Sequence, residues 1–94
     1  MAFARVVAFE EVDSDRMAEM RREMEGDEAP QDVPAKEIIV LHDPDASKSL
    51  VILFFENEDD YRRGDEVLNA MPAGDTPGRR TSVAKYDVAV RMTA

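Results

Sequence analysis

His42 is the only imidazole in the chain, and a general base working near neutral pH is most simply a histidine. It stands beside Asp43 at the junction of an apolar run and a turn. A hairpin hydrogen bond would use the same ring equally well. Two phenols, Tyr61 and Tyr86, are the next candidates. Each offers an apolar body and one hydroxyl with which to meet an aromatic or apolar ligand. Arg5 interrupts an otherwise apolar stretch, in phase with Phe3, Val7 and Phe9. A cation placed there either captures an anionic group or pairs internally. Lys85, Asp87 and Arg91, in phase near the C-terminus, make Asp87 the expected internal partner. Met17, Met20 and Met24 recur at helical spacing and give an adaptable surface for irregular apolar molecules or for plain core filling. With Tyr61, Tyr86 and Phe54, the residues Met17 and Met20 make up the candidate ligand wall; His42 and Arg5 are the candidate catalytic groups.

Other chemistries are excluded or weakly supported. The chain has no cysteine, which removes disulfides, thiolate zinc sites and cysteine nucleophiles. The acidic runs Asp13-Ser14-Asp15 and Glu58-Asp59-Asp60 read as helix caps, and calcium-loop spacing is absent, so no metal is expected. No cofactor is expected either. Arg79-Arg80 falls in a glycine- and proline-rich stretch and reads as a solvated loop pair, or as a gate or anion grip on a pocket. A formal charge of −9 over 94 residues disfavours nucleic acid and anionic membrane as partners, both of which need basic patches. No run reaches the roughly 20 apolar residues that span a bilayer, and the apolar start is too short for a signal sequence. A cytoplasmic protein of one domain, residues 1–94, is the expectation.

The elements that position these residues follow from pattern. Phe3 to Glu10 reads as a strand. Asp13 or Ser14 then caps a helix; with Asp13 as cap, Val12 and Met17 take the two staple positions. Gly26 stops that helix, and residues 26–35 have loop composition. Lys36 to His42 is a second strand, Asp43 to Ser47 a turn, and Leu50 to Phe55 a third strand, an antiparallel hairpin by the shortness of its turn. Asn57 caps a second helix that buries Tyr61, Gly64, Val67, Leu68 and Met71 and ends at Pro72. Gly64 on the apolar side predicts a close approach of helix to sheet, since glycine in a helix otherwise costs about 1 kcal/mol against alanine. Residues 72–80 read as a loop and Thr81 to Met92 as a long last strand. Phe9-Glu10-x-x-Asp13-x-x-Arg16 returns as Phe55-Glu56-x-x-Asp59-x-x-Arg62, marking two similar halves. The order is β-α-β-β-α-β, a ferredoxin-like α+β fold with both helices on one face of a four-stranded antiparallel sheet.

An antiparallel sheet with one wet face should alternate apolar and polar residues. Leu50 to Phe55 carries no polar residue on either face, and Ile38 to Leu41 and Val6 to Phe9 are similar. Two helices cover one face only. Leaving three residues from each of three strands wet, at about 50 Å² apiece, forgoes on the order of 10 kcal/mol. That rivals the whole stability of a small domain. A homodimer packed through the open sheet face is the expected remedy.

The segment Ile38 to Tyr61, with its hairpin through Asp43-Pro44-Asp45, its strand ending Phe54-Phe55-Glu56 and its acidic cap Asn57-Glu58-Asp59-Asp60, resembles the dimeric α/β-barrel superfamily. It is most similar to the small antibiotic-biosynthesis-monooxygenase-like members. The resemblance implies a homodimer with its two sheets facing, helices outside, and a pocket for a small apolar or aromatic ligand between helices and sheet. It also implies cofactor-independent monooxygenase activity as one outcome, since some relatives oxidise phenols that way while others have no known reaction. The haem-degrading branch fits poorly: it uses a tryptophan on the sheet and a histidine on the second helix. This chain has no tryptophan, and His42 sits at a strand end. A non-catalytic dimeric structural or interaction module is the alternative.

Overall fold

The computed structural model describes residues 2–26, 33–70 and 78–92, with backbone alone at 23–26. The elements run β1 (Phe3–Glu10), α1 (Ser14–Gly26), β2 (Glu37–Asp43), β3 (Lys48–Phe55), α2 (Glu58–Asn69) and β4 (Arg79–Asp87). The four strands make one antiparallel sheet in the order β2-β3-β1-β4. This is an α+β arrangement of the expected order, and it fits a ferredoxin-like fold.

Register divides the residues between two faces, because directly opposed residues on antiparallel strands point the same way. On the helix side lie Phe3, Arg5, Val7 and Phe9 of β1, opposite Phe55, Leu53, Val51 and Ser49 of β3. One cluster there joins Val7, Phe9, Val12 and Met17 beneath α1. A second joins Val33, Leu53, Phe55 and Tyr61 beneath α2, with Phe3, Ile38, Val67 and Leu68 packed around it.

Both helix starts follow from their caps. Asp13 accepts the backbone N–H of Arg16 at 2.7 Å, and Val12 and Met17, the staple pair, are both buried. Asn57 accepts the N–H of Asp60 at 2.8 Å. The echoed segments mark strand ends and helix starts in both halves, but their caps are offset. Asp13 is itself a cap, whereas Asp59 lies inside α2 two positions past Asn57, because β1 runs one residue beyond Phe9 while β3 ends at Phe55, and three residues join β1 to α1 against two from β3 to α2. Glu11, in the longer connection, takes a φ of 61°.

Strand limits differ from expectation in three strands: β2 is shifted by one residue, to Glu37–Asp43 from Lys36 to His42, and β3 and β4 differ more. β3 begins at Lys48, since Lys48 pairs with both Glu10 and Asp43. β4 covers Arg79–Asp87 instead of Thr81 to Met92. A register shift between Ala8 and Phe9 leaves Thr81 extra, so that Arg80 and Arg79 pair with Phe9 and Glu10 as strand residues, not as a loop. At the other end the partner strand runs out: Asp87 opposes Phe3, the first residue of β1. One further bond, Val88 N–H to the Ala2 carbonyl at 3.0 Å, follows. The chain then passes across the sheet end, where Arg91 pairs with Glu37 of β2 and stacks 5.1 Å over the Phe54 ring. The Met24 side chain, Met71 and Pro72 lie outside the described residues.

Gly64 behaves as its position on the buried stripe predicts. A methyl group at its Cα would stand 2.5 Å from Cε1 of Phe55 and 2.7 Å from Cζ, and the Phe55 ring, which would have to shift, is fully buried. Gly64→Ala is therefore expected to lower the unfolding free energy by about 1–3 kcal/mol through overpacking, against the helix-propensity gain of about 1 kcal/mol. Urea denaturation reads this directly, and a raised midpoint would contradict the close packing.

Candidate functional site

Arg5 is 3 % exposed, the most deeply buried charge among the described residues. Its place on β1 sets its side chain under α2, where Asp65 and Asn69 present their side chains one turn apart. Arg5 Nε donates to Asp65 Oδ1 at 2.8 Å and Nη2 to Asn69 Oδ1 at 3.1 Å. Arg80 Nη1 donates to the same Asn69 oxygen at 3.0 Å, and Asn69 Nδ2 donates to Asp65 Oδ2 at 3.3 Å. The result is a closed polar cluster joining β1, α2 and β4. The expected Arg5–Asp87 pair does not form. Lys85 is the β4 residue opposite Arg5, and Asp87 lies opposite Phe3. The helix above the sheet supplies the carboxylate instead, a partner that strand pairing alone did not reveal.

Tyr61 lies beside this cluster in the α2 core. Its ring meets Phe55 edge-on at 5.4 Å and Phe3 at 6.4 Å. Lys85 Nζ stands 4.8 Å above Phe3 and 5.0 Å above Tyr61, while 3.7 Å from a Glu58 oxygen. Loss of solvent raises the Tyr61 phenol above its ordinary value, reinforced by the Asp65 charge and opposed by Arg5. Glu58 is held below the usual carboxylate range, first by its hydrogen bond with Arg62 and then by Lys85.

His42 is half-buried on the helix side of β2. Its Nε2 lies 2.9 Å from the Val12 carbonyl, so Nε2 carries the proton and donates, tying the entrance of α1 to the β2–β3 hairpin. Val12 N–H in turn donates to the Ser47 carbonyl at 2.8 Å. Asp43 is occupied with the turn, accepting from the N–H groups of Asp45 and Ala46 at 3.2 Å each. Among the described residues, no buried side-chain nitrogen or oxygen lacks a hydrogen-bond partner.

The expected ligand wall divides between the two sides of the sheet. Met17 and Tyr61 pack on the helix side, in separate clusters, and Met20 is half-buried on α1. Phe54 and Tyr86 lie on the opposite face, both in register with Ala4. Arg79 and Arg80 are committed as well, Arg79 to Glu10 at 2.5 Å and Arg80 to Asn69.

A concavity of about 340 Å³ occurs at one end of the open face, lined by Ala8, Leu41, Leu50 and Thr81, by Glu10, Asp43 and Lys48, and by the intervening Phe9, His42 and Ser49. That volume lies at the small end of the range for ligand pockets. The open face around it is apolar in all four strands: Ile39 and Leu41; Leu50, Ile52 and Phe54; Ala4, Val6 and Ala8; Ala84 and Tyr86. Leu41 is 48 % exposed, Leu50 39 % and Tyr86 57 %. Among the described residues no cluster of three metal-ligating side chains occurs, and no helix is long and apolar enough to cross a membrane. No family model, curated protein or solved structure matches the chain.

Two outcomes test this geometry. Asp65→Ala strands the Arg5 charge and is expected to cost about 2–3 kcal/mol; a fully buried pair costs about 3–5, and Asp65 is a third exposed. Arg5→Met combined with Asp65→Ala should recover part of that loss in a denaturation double-mutant cycle, and a larger loss would refute a stranded charge. In a Tyr86→Phe variant, ultraviolet titration should show the remaining phenol ionising above 10.0. The folded state then favours neutral Tyr61, so its contribution is complete below the unfolded value and is lost as pH rises through the folded one. An ionisation at or below 10.0 would refute this.

Proposed function

We propose that the chain works as a homodimeric module whose open sheet face closes on a second copy, as in the dimeric α/β-barrel superfamily, and that its role is assembly in preference to catalysis. The observation that carries this reading is the four-strand apolar face opposite the helices, with Leu41, Leu50 and Tyr86 in solvent. Exposed apolar patches of this extent mark interfaces. The commitments of Arg5, His42 and Asp43 support the non-catalytic side: each already has an internal partner that explains its place.

A second reading has one observation of its own. The concavity beside Ala8, Leu41 and Leu50 has room for a small apolar or aromatic molecule, on the open face and away from the space between helices and sheet. Cofactor-free oxygenation of such a molecule is the enzymatic form of that reading.

Native mass spectrometry of protein isolated from its own host separates the two. The assembly reading expects twice the chain mass with nothing retained; the ligand reading expects a small molecule of constant mass on each chain or dimer. In sedimentation equilibrium at micromolar concentration, Leu50→Asp is expected to shift the two-chain mass to one chain while circular dichroism stays unchanged. A single-chain mass for the unaltered protein would overturn the dimer.

A further inference from the structure

The open face is not uniformly apolar; its two halves have different relief. The half made by β2 and β3 carries large side chains: Ile39, Leu41, Leu50, Ile52 and Phe54. The half made by β1 and β4 is cut down to Ala4, Ala8, Ala84 and Ser82, with Val6 between them and Tyr86 at one end. The face is a ridge beside a trough. Register sorts these residues into rows across the strands in the order β2, β3, β1, β4. One row is Leu41, Leu50, Ala8 and Ser82; the next is Ile39, Ile52, Val6 and Ala84; the third is Glu37, Phe54, Ala4 and Tyr86, in which Ala4 is buried and Arg91 of the same chain lies over Phe54 and Glu37. At the concavity end lies a fourth row, Asp43, Lys48, Glu10 and Arg79, whose charges alternate in sign.

We infer that two copies pair about a twofold axis running along the strands between β1 and β3, so that the ridge of each enters the trough of the other. The inference rests on the dimer reading above and specifies its geometry. A twofold in that direction lays β3 over the second copy's β1 and β2 over its β4, keeping each row at its own height. Leu50 then meets Ala8 of the second copy, Ile39 meets Ala84 and Leu41 meets Ser82. The concavity beside Ala8 receives Leu50 of the second copy.

The rim row supports the same axis independently. Under this rotation Asp43 stands over Arg79 of the second copy and Lys48 over its Glu10, so all four contacts join opposite charges. Among the described residues Lys48 and Asp43 form no ion pair within their own chain. The other face-to-face twofold, running across the strands, sets ridge on ridge and trough on trough. Leu50 would then crowd Phe54 while alanines faced alanines over a void, and close-packed interfaces tolerate neither.

A bump-and-hole series followed by sedimentation equilibrium tests the axis. Ala84→Leu fills the trough and is expected to weaken the dimer at least tenfold at two symmetric sites. Ile39→Ala in the same chain removes the facing knob and should restore most of that affinity. A charge pair gives a second measure: chains carrying Lys48→Glu and chains carrying Glu10→Lys should each dimerise weakly alone and prefer one another when mixed. A dimer indifferent to Ala84→Leu, or unrescued by Ile39→Ala, overturns the axis and leaves the dimer standing. An unaltered protein that sediments as one chain overturns both.

Discussion

Helices can cover a sheet from one side only, and this sheet is apolar on both. Its central strands place a hydrophobic side chain at nearly every position, so α1 and α2 bury one set and leave most of the other half-buried or exposed. The hydrophobic effect scales with area removed from water, whichever surface removes it. The covered face makes the core of the single chain; the uncovered face is the largest apolar surface that it still presents. The positions of the charges, the trough of alanines and the concavity all take their meaning from that imbalance.

The covered face is held by contacts that allow little adjustment. α2 lies on the sheet at Gly64, where the Phe55 ring occupies the space of a side chain. Its next turns carry Asp65 and Asn69 down to Arg5, so one helix provides both the closest apolar contact and the partner of the buried cation. A buried guanidinium is costly unless its donors are met, and here the helix, the first strand and the last strand must all be in place to meet them. The cluster thus reads as a device that fixes α2 against β1 and β4. His42 does similar work at the opposite end, fastening the start of α1 to the hairpin through one carbonyl.

Much of this was legible in the residues. The order of elements along the chain, the Asp13 and Asn57 caps and the place of Gly64 on the buried stripe follow from short-range rules, because each depends on neighbours a few positions away. The partner of Arg5 was not legible, since Asp65 lies 60 residues further on and is brought there by the packing of α2. The extent of β4 was hidden for a related reason. Its end is set by where β1 begins, and its start by a bulge that holds Arg79 and Arg80 in the ladder. The separation of Phe54 and Tyr86 from Tyr61 and Met17 likewise depends on parity in the strands and phase in the helices, which only register and packing decide together.

Residue type and order alone determined the β-α-β-β-α-β plan and the fact that the apolar content exceeds what two helices can bury. Both are local or additive properties: capping, periodicity and summed hydrophobic area. The tertiary structure decided which polar groups meet, which face each aromatic residue joins, and that the open face consists of a ridge of β2 and β3 beside a trough of β1 and β4. Those depend on pairing between distant segments. A shift of one residue in any strand would exchange its two faces.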